Sequence, residues 1–362
     1  ACGGLMEPLP QVSCYMPADV EGGLQQTNQN IVQRATDIFS WQAFIALNWP
    51  VKPKTVVPRP GYGIVLPFKP KVKEVVWQTW KPLHEVFLEN GQTPSSWETT
   101  PKTSISACGQ DKPMPMLVDS LPDVHNRIAA DLQAAVSDAS LPATLTDQDG
   151  HLTRYDIRIN QKMFDYIVKN KFYKAEVQKA AKSVSFPNGS IVIKAAWREV
   201  NDSNDARFYT TEACVCEGYE GSQPIGCKPK KMGFVGMHIV TKTPSAPQWI
   251  WSTYEQVDNV AIKYPNIRTP ETGIVKPVSP SYYDPSCKKD CPPNKQTPKG
   301  VPAQLTRLIP VPSLAPNCSQ ENQAVDDIKQ LNLDVQKALA NANRPKPPKE
   351  IDPVFQYYEL VN

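Results

Sequence analysis

The sequence is poor in the features that usually indicate a chemical activity. It holds only four histidines and 17 glycines in 362 residues, and it contains neither a glycine-rich phosphate loop nor a G-x-S-x-G nucleophile motif. Kinase, dinucleotide-dependent and serine-hydrolase functions therefore have no support in the sequence. No apolar run approaches the ~20 residues that a membrane-spanning helix needs. The near-balanced charge, a net +3, gives no extended basic field for binding nucleic acid.

Proline, by contrast, is abundant, and its distribution divides the chain. The 37 prolines outnumber the 17 glycines, which excludes collagen-like and flexible-linker proteins. They are dense in the stretches 50–115 and 265–316 and sparse in the middle of the chain. Because proline is excluded from helix interiors and central strands, we predict a regular scaffold over 116–260 with proline-rich flanks. Residues 1–27 are expected to form an extended N-terminal segment, and residues 28–362 a single large domain.

Hydrophobic periodicity predicts helices and strands in a definite order. Helical spacing predicts helices at 28–49, 74–90 (broken at Pro82), 123–139, 161–182 (interrupted near Asn170) and 328–339. Strict alternation and apolar runs predict strands at 152–160, 190–200, 207–216, 233–242 and 248–257. Because short links join successive strands, we expect an α+β fold. In it, an antiparallel sheet meander has helices packed on one face and carries long proline-rich loops.

Nine cysteines are many for a chain of this length, and they indicate an oxidising compartment. We expect the periplasm, the outer-membrane surface or the extracellular space, with the signal peptide already removed. The disulfide candidates are Cys2, Cys14, Cys108, Cys214, Cys216, Cys227, Cys287, Cys291 and Cys318. Because nine is odd, one cysteine needs another fate. Cys2 follows Ala1 as in a cleaved lipoprotein signal, so it is either a lipid anchor or a disulfide partner of Cys14.

Two clusters offer metal ligands, and neither matches a standard site. The first consists of Cys214, Cys216 and Cys227, with or without His238, and it lacks the C-x-x-C spacing of zinc ribbons. The second, at 147–150, resembles the start of a calcium loop, but its twelfth position is Arg158 rather than glutamate. An Asp-Gly hairpin turn explains the second cluster better. We therefore expect neither zinc nor calcium. Because C-x-x-C-H is absent, we expect no haem in this chain.

The candidate site lies on the predicted sheet. His238 stands in mid-strand among apolar residues, where an ionisable side chain costs free energy unless it has a partner. Alternation places further charged and indole side chains on the polar faces of nearby strands: Arg158, Lys194, Arg198, Trp249, Trp251 and Glu255. If these faces coincide, they form a pocket for an anionic or planar ligand, and His238 and Glu255 become candidates for a general base. A solvated face or a structural ion-pair network predicts the same pattern.

Several segments carry a resemblance to a known family. They include FSWQAFIALNWP at 39–50 and, most specifically, TPSAPQWIWSTYEQVDN at 243–259. Together, over residues 38–362, they resemble a family of exported bacterial proteins often labelled cytochrome c family proteins. The resemblance implies a C-x-x-C-H haem segment beyond a stretch like QYYELVN, which here occupies 356–362. Either the chain has lost this C-terminal segment, and the haem with it, or it belongs to a branch of the family without one. The resemblance implies no catalytic residues.

Taken together, these observations favour an exported bacterial binding or accessory protein, which the resemblance associates with a redox, cytochrome-containing system. Two alternatives stay open: a periplasmic enzyme that uses a His/Glu/Arg cluster on the sheet, and a structural surface or filament subunit. We expect no nucleic-acid partner, and the resemblance implies an exported redox protein as a partner. The sequence does not determine the oligomeric state.

Overall fold

The computed structural model describes much of the scaffold and parts of both flanks. The described residues are 10, 12–22, 29–51, 74–99, 108, 116–117, 145–201, 207–216, 218–220, 223–260, 279–289, 291–295, 300–306, 320–341 and 354–361. The helix predicted at 123–139 lies outside them, as do Cys2, Cys318 and much of the proline-rich flanks.

Four α-helices lie in the described ranges: α1 Gln29–Leu47, α2 Gln161–Lys169, α3 Ala175–Ala180 and α4 Gln320–Asn341. They confirm the predicted first and last helices. They also confirm the interruption near Asn170, which caps the C-terminus of α2. None of these helices is both long enough and apolar enough to cross a membrane.

The prediction of a helix at 74–90, broken at Pro82, is wrong. The segment instead forms short 3₁₀ turns at Val76–Thr79, Leu83–Glu85 and Glu89–Gly91, with the two-residue strand β1, Lys81–Pro82, between the first two. Proline disfavours a helical residue before it and cannot donate to a helix, so the chain stays extended at this point. A further 3₁₀ turn occupies Val354–Tyr357.

The remaining strands are β2 Met116–Leu117, β3 Arg154–Ile159, β4 Ile191–Glu199, β5 Thr210–Val215, β6 Gly218–Glu220, β7 Gln223–Ile225, β8 Lys228–Thr241, β9 Ile250–Gln256 and β10 Tyr358–Leu360. All five predicted strands are found, as β3, β4, β5, β8 and β9. Among the described residues, β6 and β7 form a separate hairpin, and the other eight strands form one sheet. The predicted α+β class with an antiparallel sheet is confirmed.

Strand β8 organises this sheet. Along one edge, residues 232–241 of β8 pair with β4. Along the other edge, β5 pairs with residues 228–233 and β9 with residues 236–241, so β5 and β9 lie end to end. Strand order therefore departs from a simple meander, because β4 adjoins β8 rather than β5. Strands β3 and β10 extend the sheet outwards, and β2 adds a parallel pair to β5.

An aromatic core covers one face of the sheet. Helix α1 contributes Trp41 and Phe44, and the Phe44 ring stacks on that of Tyr254 in β9 with centroids 4.2 Å apart. Helix α4 contributes the predicted stripe of Leu331, Val335 and Leu339. The two long helices thus lie on the same face, as predicted. The short helix α2 packs at one end of the opposite face, beside Ile159 and Val192.

Three disulfides join described cysteines: Cys108–Cys214, Cys216–Cys227 and Cys287–Cys291. Cys14 is a free, buried thiol, so the alternative in which it pairs with Cys2 is wrong. Its surroundings explain this, because Cys14 packs into the aromatic core as a small apolar side chain. The three bridges indicate a protein that matures outside the reducing cytoplasm.

We predict that Phe44→Ala destabilises the protein by about 3–5 kcal/mol, because it removes the ring on which α1 and β9 meet. The free energy of unfolding from urea titration measures this cost. Val184→Ala is the matched control, since Val184 is 49% exposed, and it is expected to change stability by less than ~0.5 kcal/mol. A similar cost for both variants would contradict the assignment of Phe44 to the core.

Candidate functional site

Small residues open a hollow in the sheet face opposite the aromatic core. Across β3, β4, β8 and β9 the register aligns Tyr155, Ala196, Gly236 and Glu255 in one row. Ala196 and Gly236 lie at its centre, so the floor is low between the two larger side chains. A Cβ at Gly236 would lie 3.2 Å from the carbonyl oxygen of Tyr254, which is closer than ordinary van der Waals contact and favours glycine at this position.

A second row beside the first supplies polar groups. It aligns Ile157, Lys194, His238 and Thr253. The Lys194 Nζ lies 4.7 Å from the centre of the Tyr155 ring, which is a cation–π contact. The His238 Nδ1 lies 3.0 Å from Thr253 Oγ1, a hydrogen bond that fixes the orientation of the imidazole.

His238 is neutral at neutral pH. Burial lowers the pKa of its ring below the usual value near 6.5, and the ammonium group of Lys194 lowers this pKa further. The site therefore holds a fixed cation and an uncharged imidazole on adjacent strands. A neutral imidazole both donates and accepts hydrogen bonds, so it suits a polar ligand group of either kind.

The two rows line a pocket of about 200 Å³. Beyond Ala196 and Gly236 its wall includes the apolar side chains of Leu145, Val235 and Leu305, together with Thr153, Asn259 and Tyr282. This end of the pocket is thus more apolar than the end that holds Lys194 and His238, but it also carries polar groups. Pockets for drug-sized ligands span ~300–1,000 Å³, so this one suits a smaller molecule.

Of the predicted site residues, Lys194, His238 and Glu255 line this pocket together. Trp251 shares their face, outside the pocket, and its side chain is 55% exposed. Trp249 lies outside β9, which begins at Ile250, and its φ of 74° is not that of a strand. Strand alternation therefore does not place Trp249 on this face. Its ring contacts Phe186 instead, with centroids 5.8 Å apart.

The placement of Arg158 in the candidate site is wrong. Arg158 pairs across the ladder with Ile193, so it lies on the core face and not with Lys194. Its Nε lies 2.8 Å from a carboxylate oxygen of Asp156. Its Nη1 donates to the carbonyl oxygens of Gln78 and Trp80. Arg158 lies on the core face because the buried carbonyl groups of the 3₁₀ segment need hydrogen-bond donors, which its guanidinium supplies.

Arg198 shares the pocket face but belongs to a structural ion-pair network. Its Nε lies 3.0 Å from Asp147, which is fully buried, and its Nη2 reaches Asp149. The other oxygen of Asp147 accepts the backbone N–H groups of Asp149 and His151. The carboxylates of Asp147 and Asp149, in the predicted Asp-Gly turn, therefore bind the guanidinium of Arg198. In the calcium-loop alternative the same carboxylates would bind a metal ion.

The cysteine cluster is likewise accounted for by covalent bonds. The sulfur atoms of Cys214, Cys216 and Cys227 lie within 4.8 Å of one another. Cys216 and Cys227 bridge each other, and Cys214 bridges to Cys108. Because zinc binds thiolates, these sulfurs are not metal ligands while the bridges are intact.

The sequence did not predict that Tyr155 and Ala196 line the site, nor did it predict the wall. Strand alternation does place Gly236 on the face of His238 and Thr253 on the face of Glu255. The row of small residues had a detectable signal, because a glycine inside a predicted strand suggests that another group approaches closely. Tyr155 lies on the opposite face of β3 from Arg158, so the charged face of β3 does not coincide with the face of β4 that carries Lys194. The wall comes from distant loops, for which no local pattern exists.

Comparisons of the chain with protein-family models, with curated proteins and with solved structures found no match. The pocket therefore has to be interpreted from its own geometry.

We predict that Arg198→Met costs about 3–5 kcal/mol of folding free energy, because it leaves the buried Asp147 carboxylate without its cation. Urea unfolding of the variant measures this cost. Lys230→Met is the matched control. Its ammonium pairs with Glu199 at 2.9 Å and is 40% exposed, so the expected cost is at most ~1 kcal/mol. If Arg198→Met cost no more than Lys230→Met, the ion-pair network around Arg198 would not be structural.

His238 predicts a pH dependence of stability. Its folded-state pKa is lowered from 6.5, so its contribution is complete above pH 6.5 and is lost as the pH falls below it. In wild type the unfolding free energy should therefore decline on acidification, by at most ~1.4 kcal/mol per pH unit from this group. His238→Gln should flatten the decline, and Val240→Leu on the same face should not. Identical slopes in all three proteins would contradict the burial of this imidazole.

Proposed function

We propose that the chain is an exported protein that binds a small organic ligand in the pocket between β3, β4, β8 and β9. One observation carries this proposal. A fixed cation, a neutral imidazole and a carboxylate line the same hollow, on Lys194, His238 and Glu255. A concave site with an apolar wall and a few convergent polar groups is the usual form of a ligand pocket.

The shape of the pocket and the fixed orientation of His238 also distinguish it from an ordinary solvated sheet face. On such a face long side chains cover small ones, whereas here Ala196 and Gly236 lie at the centre of the row and leave space. Thr253 moreover holds the imidazole of His238 in one orientation. Prearranged polar groups lower the entropy lost on binding, which favours recognition of a specific ligand.

An enzyme that uses His238 as general base is the second candidate. The observation in its favour is the lowered pKa of His238, because a neutral imidazole in a pocket is the form that accepts a proton. Glu255 lines the same pocket, but the hydrogen bond of the His238 Nδ1 is to Thr253. Ligand binding, unlike catalysis, does not require a second catalytic group bonded to His238, and we therefore prefer the binding function.

The cellular setting remains part of the proposal. The disulfides support an exported location, and the resemblance makes the bacterial periplasm the proposed compartment. The resemblance to proteins labelled as cytochrome c family members supports an accessory role beside an exported redox protein.

A thermal-shift panel tests the binding function. Purified protein with intact disulfides is heated with small carboxylates, amines, zwitterions and neutral sugars, each in excess. We expect at least one class to raise the melting temperature, because a ligand that binds only the folded state stabilises it. Mass analysis of each mixture afterwards should recover the compound unchanged, whereas conversion would favour the enzyme.

The matched variants locate the effect. Ala196→Leu fills the floor of the pocket and should abolish the shift, and Val240→Leu lies outside the pocket on the same face and should keep it. The proposal fails if no class shifts the melting temperature, or if the shift survives Ala196→Leu.

A further inference from the structure

We propose that two neighbouring disulfides form a thiol–disulfide exchange site, which takes up two electrons from an external dithiol. The two bridges are Cys216–Cys227 and Cys108–Cys214. This activity goes beyond ligand binding in the pocket and does not depend on it. It follows from the short distance between sulfur atoms that belong to different bridges.

The sulfur atoms of the two bridges meet at the end of β5. Cys214 lies in β5, and Cys216 follows directly after the strand ends at Val215. The side chains of Ala213 and Val215 belong to the aromatic core, so Cys214 points to the opposite face of the sheet. The sulfur atoms of Cys214, Cys216 and Cys227 all lie within 4.8 Å of one another. A sulfur released from one bridge therefore has a sulfur of the other bridge close to it.

Burial differs between the inner and outer cysteines of the two bridges. Cys214 and Cys216 are buried, with exposures of 0% and 1%, whereas Cys108 and Cys227 are half-buried. Access decides which sulfur of a disulfide a thiolate attacks. The residue after Cys227 is the exposed Lys228, whose ammonium attracts an anionic thiolate. A dithiol in solution therefore enters at Cys227, and the two inner sulfurs then react inside the protein.

The guanidinium of Arg154 favours Cys216 as the leaving group. Its Nη1 donates to the carbonyl oxygen of Cys216 at 3.1 Å, and both residues are buried. This hydrogen bond fixes the backbone of Cys216 beyond the end of β5. The positive charge also favours a thiolate near it, and a stabilised thiolate leaves a disulfide faster.

The exchange has three steps. A thiolate of the dithiol attacks the Cys227 sulfur, which breaks the Cys216–Cys227 bond and releases Cys216 as a thiolate. The second thiol of the reagent then closes the disulfide of the reagent and releases Cys227. The Cys216 thiolate attacks the Cys214 sulfur, which forms a Cys214–Cys216 bond and releases Cys108. The dithiol is thus oxidised by two electrons, and its two protons end on Cys108 and Cys227.

The new bridge is sterically possible, and it changes the cross-linking of the chain. Residues two positions apart in a strand have Cα atoms ~6.6 Å apart, and disulfides span Cα separations up to ~6.8 Å. The exchange replaces a bridge between residues 106 positions apart with this local one. Because a bridge over a long loop restricts the unfolded chain more, the exchanged protein is expected to melt at a lower temperature.

Partial reduction followed by disulfide mapping tests the proposal. Folded protein with intact disulfides is treated with equimolar dithiothreitol, brought to acidic pH to stop exchange, and alkylated with N-ethylmaleimide. Cleavage after Glu212 and Glu217 isolates Cys214 and Cys216 in one peptide and leaves Cys227 in another. Mass analysis of the peptides then assigns each label and each bridge.

We expect the labels on Cys108 and Cys227, with Cys214 and Cys216 unlabelled and joined to each other. Labels on Cys216 and Cys227 together, or on Cys108 and Cys214 together, show that each bridge is reduced on its own and overturn the proposal. It is also overturned if both bridges resist the dithiol until the protein is unfolded.

The matched control combines Cys108→Ser with Cys214→Ser, which removes the second bridge. The released Cys216 then lacks the neighbouring disulfide, so the labels are expected on Cys216 and Cys227. Protection of Cys216 in this variant as well would contradict an exchange with Cys214. A melting curve checks that the variant folds, and the wild-type map decides the proposal without it.

Discussion

The structure depends on the register between β8 and its neighbours β4 and β9. This register places Ile193, Ile239 and Tyr254 under the helices and places Lys194, His238 and Thr253 on the opposite face. Side chains alternate along a strand, so a slip of one residue would exchange the two sets and bury the charged groups in the aromatic core. The free energy of burying that core therefore determines where the polar pocket forms.

A β-bulge in β8 interrupts the alternation of its side chains between the two faces of the sheet. Val235 is an extra residue in β8, because Ala196 pairs with Gly236 and Trp197 pairs with Phe234. The bulge returns Phe234 to the aromatic core although His238, four residues later, faces the pocket. Strict alternation predicts that Phe234 and His238 share a face, and that prediction is wrong. The same bulge leaves Val235 on the pocket side, where it forms part of the wall.

Sequence periodicity predicted the strands and the two long helices because each buries a continuous stripe, and such stripes are local signals. It predicted His238, Lys194 and Glu255 as a group because ionisable residues in mid-strand are rare. It failed for Arg158 because a charged strand face is normally solvated. Here the buried carbonyl groups of Gln78 and Trp80, far away in the sequence, hold the guanidinium. Arg198 fits the alternative of a structural ion-pair network, but its partners lie about 50 residues earlier in a turn and were not predicted. Contacts between residues so far apart in the sequence leave no periodic pattern in it.

Thiol labelling tests the register most directly. Ser252 is 2% exposed and bonds to Ser40 under helix α1, whereas Thr253 beside it lines the pocket. Ser252→Cys and Thr253→Cys are both small changes, and maleimide labelling followed by intact mass analysis compares their accessibility in the folded protein, with wild type as the baseline for the free thiol of Cys14. The account predicts labelling at Thr253→Cys in the native state and at Ser252→Cys only after unfolding. Faster native-state labelling at Ser252→Cys would contradict it.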